Sequence, residues 1–123
     1  MASNEAPYGD NPYRLREKEG YYPVPPMDSL MDYRVQVSDA LFGFGILPEV
    51  HHHEVAASGQ IEINFYMDTL VGASDSIVTV KSVAREMAKS VGKYATFMPK
   101  PIFGDNGSGM HVHVSIWDGN GYD

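Results

Sequence analysis

Cysteine is absent from this sequence, and basic residues and long apolar runs are scarce. Without cysteine the chain has neither a disulfide framework nor a thiolate metal site. Nine Lys and Arg stand against sixteen Asp and Glu, a formal net charge of −7, and no basic cluster could follow a phosphate backbone. No apolar run reaches membrane-spanning length, and the first residues lack the pattern of a signal peptide. These absences exclude nucleic-acid and membrane partners from the prediction and favour a reducing, cytoplasmic location.

The length and composition are those of one small globular domain. The 123 residues are 43% hydrophobic, which is enough for an ordinary core. Proline and glycine are frequent in residues 1–26, so we predict an irregular leading segment there, followed by regular structure over residues 27–123. In that second part, apolar residues recur every 3.6 residues in some segments, as in helices, and every second residue in others, as in strands. It predicts an α+β fold, an antiparallel sheet with flanking helices.

Six elements are predicted after the leading segment. They are a helix from an N-cap at Asp28 or Ser29 to about Gly43, a hairpin over residues 50–65, a helix over residues 70–91 with Gly92 at its C-cap, a short strand over Tyr94–Met98, a loop over residues 99–110, and a strand over His111–Trp117.

The hairpin sequence VHHHEVAASGQIEINF concentrates histidine and glutamate on strands that otherwise alternate polar and apolar residues. With the turn centred on Ser58, Glu54 lies opposite Glu62, and His52 lies opposite Asn64. Opposed like charges destabilise a pair of strands. Two facing carboxylates therefore need a cation, a shared proton or full solvation.

A second polar face is predicted on the last strand, where His111, His113 and Ser115 alternate with apolar residues. Imidazole and carboxylate are the usual side-chain ligands of Mn²⁺ and Zn²⁺, and carboxylate with water suits Mg²⁺. Glu54, Glu62 and His111 are thus able to share a metal site. The preceding GDNGSGM loop has free backbone amides for an anion. Taken singly, each feature is more often a solvated face or a flexible connection.

Three segments together resemble the glutamine synthetase family. KPIFGDNGSGMHVHVS, from Lys100 to Ser115, is similar to the family's ATP-binding signature, with every element of that signature present. HHHEVAASGQIEI resembles the family's metal-binding strand pair, and KEGYYPVPPMDSLMDYR resembles the segment before it. The resemblance runs from about residue 13 to the end, in family order.

The resemblance implies a role for nine residues and assigns no catalytic side chain within the chain. Glu54 and Glu62 are expected to hold a first divalent ion, Mg²⁺ or Mn²⁺, and His111 a second. Asn106 and Gly107 are expected to line the glutamate pocket. The expected ATP-binding residues are Glu49, His52, His113 and Ser115. Met67 departs from the family, which usually has an aromatic residue at that position.

The activity implied is that of glutamine synthetase, a glutamate–ammonia ligase. ATP phosphorylates L-glutamate, and ammonia displaces phosphate from the acyl phosphate. The resemblance implies a two-domain subunit in a ring-shaped homo-oligomer, of which this chain is expected to be a central, incomplete piece, inactive alone. Two alternatives remain: a non-catalytic synthetase-like protein that binds nucleotide or metal, and a small cupin-like metalloprotein. The His111-Val112-His113 motif suggests the second, although a cupin's following glutamate is absent.

Overall fold

The computed structural model describes residues 15–56 and 59–119. Its elements, in chain order, are helix α1 (Met31–Gly43), strand β1 (Pro48–His53), strand β2 (Ile61–Phe65) and helix α2 (Leu70–Ser90). The two strands form an antiparallel sheet; α1 packs against β1 and against α2. The α+β prediction is therefore confirmed. Within the described ranges, neither helix is long and apolar enough to cross a bilayer.

The hairpin forms as predicted, but its register differs by two residues. His52 lies opposite Glu62, and Val50 lies opposite Asn64. The prediction that Glu54 faces Glu62 directly is wrong, because the Glu54 backbone N–H donates to the Gln60 carbonyl at 2.7 Å and closes the hairpin there. A shift of two residues preserves the side-chain faces, since strands have a period of two. Glu54 and Glu62 therefore remain on one face, as diagonal neighbours.

Helix α1 confirms the first predicted helix, with a different N-cap. The helix begins at Met31, and Leu30 is its N-cap residue without a side-chain cap. The Asp28 carboxylate accepts a hydrogen bond from the Leu30 N–H at 3.2 Å, so it still satisfies a backbone donor just before the helix. The same carboxylate accepts from Arg34 Nη1 at 2.9 Å, so Asp28 binds the start of α1 without being its N-cap residue.

Helix α2 confirms the second predicted helix. Thr69 caps its N-terminus by accepting a hydrogen bond from the Gly72 N–H. Val91 is the C-cap residue, and the predicted Gly92 follows it with a φ of +70°, a left-handed conformation that favours glycine. The predicted terminus is thus displaced by one residue.

The core lies where α1 and α2 meet. Val37 and Leu41 of α1 are fully buried, and Val80 and Ala88 of α2 pack in the same cluster. Tyr33 joins the helices through its hydroxyl, which donates to the Ala84 carbonyl at 2.7 Å. Burial raises the pKa of Tyr33 to about 12. The hairpin adds a partly buried apolar face of β2, formed by Ile61, Ile63 and Phe65.

A buried charged group joins the start of α1 to β1. Arg34 is 3% exposed and binds both oxygens of Asp28, which is 6% exposed. Its Nε donates to His51 Nδ1 at 3.2 Å. Burial raises the pKa of Asp28, but the hydrogen bonds and charge of Arg34 outweigh burial and hold that pKa below its ordinary value of 3.8. Burial and the Arg34 charge both lower the pKa of His51.

The leading segment runs beside β1 with close backbone contacts. Gly20 donates its N–H to the Val55 carbonyl at 3.1 Å, and its own carbonyl accepts from His53 Nδ1 at 2.7 Å. A Cβ on Gly20 would lie 2.5 Å from the Glu54 carbonyl oxygen, so a glycine is needed there. Residues 15–26, the described part of the predicted leading segment, contain turns and no helix or strand; the first fourteen residues of that segment lie outside the described ranges.

Two predicted strands do not form. Residues 94–98 and 111–117 have no strand structure. A strand requires a hydrogen-bonded neighbour, and the sheet in the described part of the chain contains only β1 and β2. The alternation of polar and apolar residues over His111–Trp117 predicted a strand with two different faces, but among the described residues no neighbouring strand pairs with this segment. Its apolar residues Val112, Val114 and Ile116 are exposed. The predicted loop over residues 99–110 is confirmed.

Removing the Tyr33 hydroxyl should weaken the contact between the helices. Tyr33→Phe leaves the buried Ala84 carbonyl without this donor, and we expect it to lower the free energy of unfolding by about 1 kcal/mol. Urea denaturation followed by circular dichroism measures the change. Tyr66→Phe is the control, because Tyr66 is 60% exposed; an equal loss in both variants would contradict the assigned role.

Neutralising Asp28 should destabilise the fold more strongly. Asp28→Asn leaves the Arg34 guanidinium buried without its counter-ion, which we expect to cost about 3 kcal/mol. Because the folded state lowers the pKa of Asp28, its contribution is complete above the unfolded pKa of about 4 and is lost as the pH falls through the lower folded value. Urea denaturation between pH 7 and pH 2 measures both effects.

The matched control is Asp32→Asn, at an exposed residue in the first turn of α1. Wild type and this control should lose stability together as the pH falls below 4, while Asp28→Asn should be less sensitive in that range. A parallel decline in all three proteins would show that Asp28 is not the group responsible.

Candidate metal centre and glycine loop

Three donor side chains come together on one face of the hairpin. His52 of β1, Glu54 just beyond β1 and Glu62 of β2 each present a ligand atom, and these three atoms lie within 4.8 Å of one another. Glu62 is directly opposite His52 in the register, and Glu54 is two residues from His52, so strand pairing accounts for the cluster. We call these three residues the donor cluster.

The His52 ring is held in one orientation. Its Nδ1 lies 3.1 Å from the His53 carbonyl oxygen, which only accepts, so Nδ1 carries the proton in this contact. In a neutral imidazole of this tautomer the lone pair is on Nε2, which lies 3.9 Å from Glu62 Oε1. The Tyr22 ring stacks on the imidazole with centroids 4.2 Å apart, and Tyr21 makes an edge contact at 5.4 Å. Neutral imidazole in this tautomer is suited to ligate a cation through Nε2.

Glu54 is also oriented by its surroundings. Its Oε2 accepts a hydrogen bond from the Val55 backbone N–H at 2.9 Å, and its Oε1 faces His52 Nδ1 at 3.7 Å. Ligand atoms around one Mg²⁺ or Mn²⁺ at about 2.1 Å lie no more than about 4.2 Å apart. The donor cluster therefore needs only small side-chain rotations to surround an ion. Two carboxylates and one imidazole fit Mn²⁺, and the carboxylates with water fit Mg²⁺.

The glycine loop, residues 104–110, is irregular and tightly positioned at Gly107. The Ser108 N–H donates to the Pro99 carbonyl at 2.8 Å, and a Cβ on Gly107 would lie 2.7 Å from the same oxygen. Gly104 has a φ of +81°. Asp105 is buried, and its Oδ1 accepts from the Asn106 N–H at 2.8 Å. Glycine is thus favoured at Gly104 by its positive φ and at Gly107 by the nearby Pro99 carbonyl.

The remaining predicted site residues are distributed along the chain. The donor cluster found among the described residues contains His52 rather than His111, and His111 stays a predicted ligand. His111, His113 and Ser115 are exposed in an irregular segment. Glu49 lies at an irregularity of β1, beside a groove of about 320 Å³ between α1 and β1.

Two residues at the site were missed from the sequence. Tyr22 stacks on His52, and no periodicity in the sequence signals this contact. Gln60 immediately precedes β2, and its side chain donates to the Gly107 carbonyl at 2.8 Å. The position of Gln60 between the turn and Glu62 was the only available signal.

Comparison with known proteins gives consistent results. The family described as glutamine synthetase, catalytic domain, matches residues 2–122. A glutamine synthetase of Streptomyces viridochromogenes is 52% identical over 107 residues, covering 87% of this chain and 23% of the relative. One of Sulfolobus acidocaldarius is 50% identical over 121 residues, covering 97% of this chain and 26% of the relative. The chain thus spans about a quarter of the length of these curated relatives.

A solved structure agrees. The cryo-EM structure of Plasmodium falciparum glutamine synthetase matches with a TM-score of 0.68 and 31% identity, covering 80% of this chain and 19% of that one. The matched part of this chain therefore has the fold of part of a larger chain. This chain belongs to the glutamine synthetase family and corresponds to part of its catalytic domain.

Proposed function

We propose that the chain provides part of the active site of a glutamine synthetase, which amidates L-glutamate with ammonia at the expense of ATP. The observation on which this rests most is the donor cluster, three ligand atoms within 4.8 Å on the hairpin of a family member. Family membership without donors in reach of one ion would indicate ancestry alone. The cupin alternative has no comparable support, because the sequence matches a different family.

The donor cluster is proposed as the site of a divalent ion next to glutamate. Glu54 and Glu62 supply carboxylate oxygens, and the orientation of His52 makes its Nε2 available as a third donor. A bound Mg²⁺ or Mn²⁺ supplies electrostatic stabilisation of charge on the transferring phosphoryl group. The chain's own residues hold the ion and fix its position on the sheet. His111 is proposed as a ligand of a second ion.

The glycine loop is proposed to line the glutamate pocket. Asn106 and Gly107 provide amide and carbonyl groups at a point that Pro99 and Gln60 hold by hydrogen bonds. Glu49, His113 and Ser115 are proposed to contact ATP, together with His52 of the donor cluster. Phosphoryl transfer depends mainly on positioning and electrostatic stabilisation. For the whole enzyme, membership of the glutamine synthetase family supports a ring-shaped homo-oligomer in the cytoplasm as part of this proposal.

Cation binding tests the donor cluster directly. We expect the chain to bind Mn²⁺, and Glu54→Gln and Glu62→Gln each to weaken binding by at least about tenfold, because each loses a negatively charged ligand. The electron paramagnetic resonance signal of free Mn²⁺ measures affinity. Glu17→Gln is the control, since it removes the same charge at an exposed residue; equal weakening by Glu17→Gln would contradict the site.

The same titration distinguishes the two histidines. With His52 as a donor, His52→Gln should weaken Mn²⁺ binding and remove the nitrogen coupling from the spectrum of bound Mn²⁺, whereas His111→Gln should leave that first ion unchanged. The reverse result would place His111, and not His52, with the two glutamates.

The activity is tested in a chimaeric enzyme. We expect the Streptomyces viridochromogenes synthetase, with its matching segment replaced by residues of this chain, to form glutamine from glutamate, ammonia and ATP. Glu54→Gln in that chimaera should lower kcat/KM by about 100-fold or more, because charge stabilisation is lost at the reacting groups. A chimaera that assembles correctly but forms no glutamine would overturn the proposal, and Glu17→Gln again serves as the control.

A further inference from the structure

Gln60 makes hydrogen bonds with both ends of its side-chain amide. Its Oε1 accepts from the Ala56 backbone N–H at 3.2 Å, and its Nε2 donates to the Gly107 carbonyl at 2.8 Å. A backbone N–H only donates and a carbonyl oxygen only accepts, so these partners fix which end of the amide is which. The amide has one orientation that satisfies both.

The backbone of Gln60 is held equally firmly at the end of the hairpin. Its carbonyl accepts from the Glu54 N–H at 2.7 Å, and its N–H donates to the Ala56 carbonyl at 3.3 Å. Gln60 immediately precedes β2, and Glu62 is the next residue but one. The residue that contacts the glycine loop is therefore hydrogen-bonded to one carboxylate residue of the donor cluster and is close in sequence to the other.

Gly107 is also constrained by a second contact, with Pro99. The Pro99 carbonyl accepts from Ser108 and leaves no room for a Cβ on Gly107. The peptide between Gly107 and Ser108 thus has its N–H bound to Pro99 and its carbonyl bound to Gln60. Both polar groups of this peptide are committed, so its orientation is fixed relative to the hairpin.

We propose that Gln60 is a positioning residue that fixes the Gly107 carbonyl relative to the donor cluster, so that the glycine loop responds when a cation binds to the hairpin. The inference deepens the proposed function and rests on it for the assignment of Gly107 to the glutamate pocket. Gln60 is not itself proposed to contact the reacting groups. Its effect is transmitted through the carbonyl that it holds and through the backbone that it shares with Glu54.

The contact is measured at a single labelled peptide. The sequence contains one Gly–Ser bond, Gly107–Ser108. Cell-free synthesis of the chain with ¹³C-carbonyl glycine and ¹⁵N serine therefore gives one signal in a spectrum that correlates an amide with the preceding carbonyl. Gln60→Met keeps the length of the side chain and removes the donor. We expect the Gly107 carbonyl carbon to shift upfield, as carbonyls do when they lose a hydrogen bond.

The control is Gln36→Met, at the sequence's only other glutamine, which is exposed on α1. It should leave the Gly107 signal unchanged. Thermal unfolding of all three proteins separates a local change at Gly107 from general loss of structure. A Gly107 signal that is the same in wild type and Gln60→Met, both folded, would overturn the proposal.

Adding Mg²⁺, which is diamagnetic, tests the coupling. In wild type the Gly107 signal should move as Mg²⁺ saturates the donor cluster, and in Gln60→Met this movement should be lost. An equal Mg²⁺-induced shift in both would overturn the coupling. Mn²⁺ titration of the same samples reports separately whether the cation binds. Absence of cation binding would count against the proposed function and the coupling, while the carbonyl shift without metal still decides whether Gln60 positions Gly107.

Discussion

The pairing of β1 with β2 is the constraint on which the site depends. The register places His52 opposite Glu62 and leaves Glu54 beside them on the same face. A slip of one residue would turn Glu62 towards the core and bring Ile61 or Ile63 to the cation side. The apolar face of β2 packs against the helical core. The same alignment of the strands therefore buries that face and places Glu62 on the opposite face, with the other donors.

The alignment is supported from outside the sheet by buried polar contacts. Arg34 links Asp28, before α1, to His51 on β1, and its three hydrogen bonds leave little freedom between that helix and the strand. His53, next to the donor cluster, is 1% exposed and is bonded to Gly20 of the leading segment. A buried ion pair contributes little net stability on average, but losing one partner is costly. The effect of the Asp28–Arg34 pair here is to specify one arrangement of α1 relative to β1.

The sequence predicted what local periodicity determines. Both helices and the hairpin follow from apolar spacing, and the shared face of Glu54 and Glu62 survives a register error of two residues because the strand period is two. Contacts between distant residues were not predictable in this way. The hydrogen bond from Gln60 to Gly107 spans 47 positions, and the stacking of Tyr22 on His52 spans 30. Neither has a periodic signature.

The predicted strand at His111–Trp117 failed for a related reason. Alternation shows that two faces would differ if the segment were in a sheet, but it does not identify a hydrogen-bonding neighbour. The apolar side chains of that segment are exposed, as are Phe103 and Ile102 before it. The hairpin, by contrast, carries its own partner a few residues away and forms from local pairing. Cation donors on the hairpin are therefore assembled by short-range structure, whereas the position of His111 relative to them depends on contacts that its own sequence does not specify.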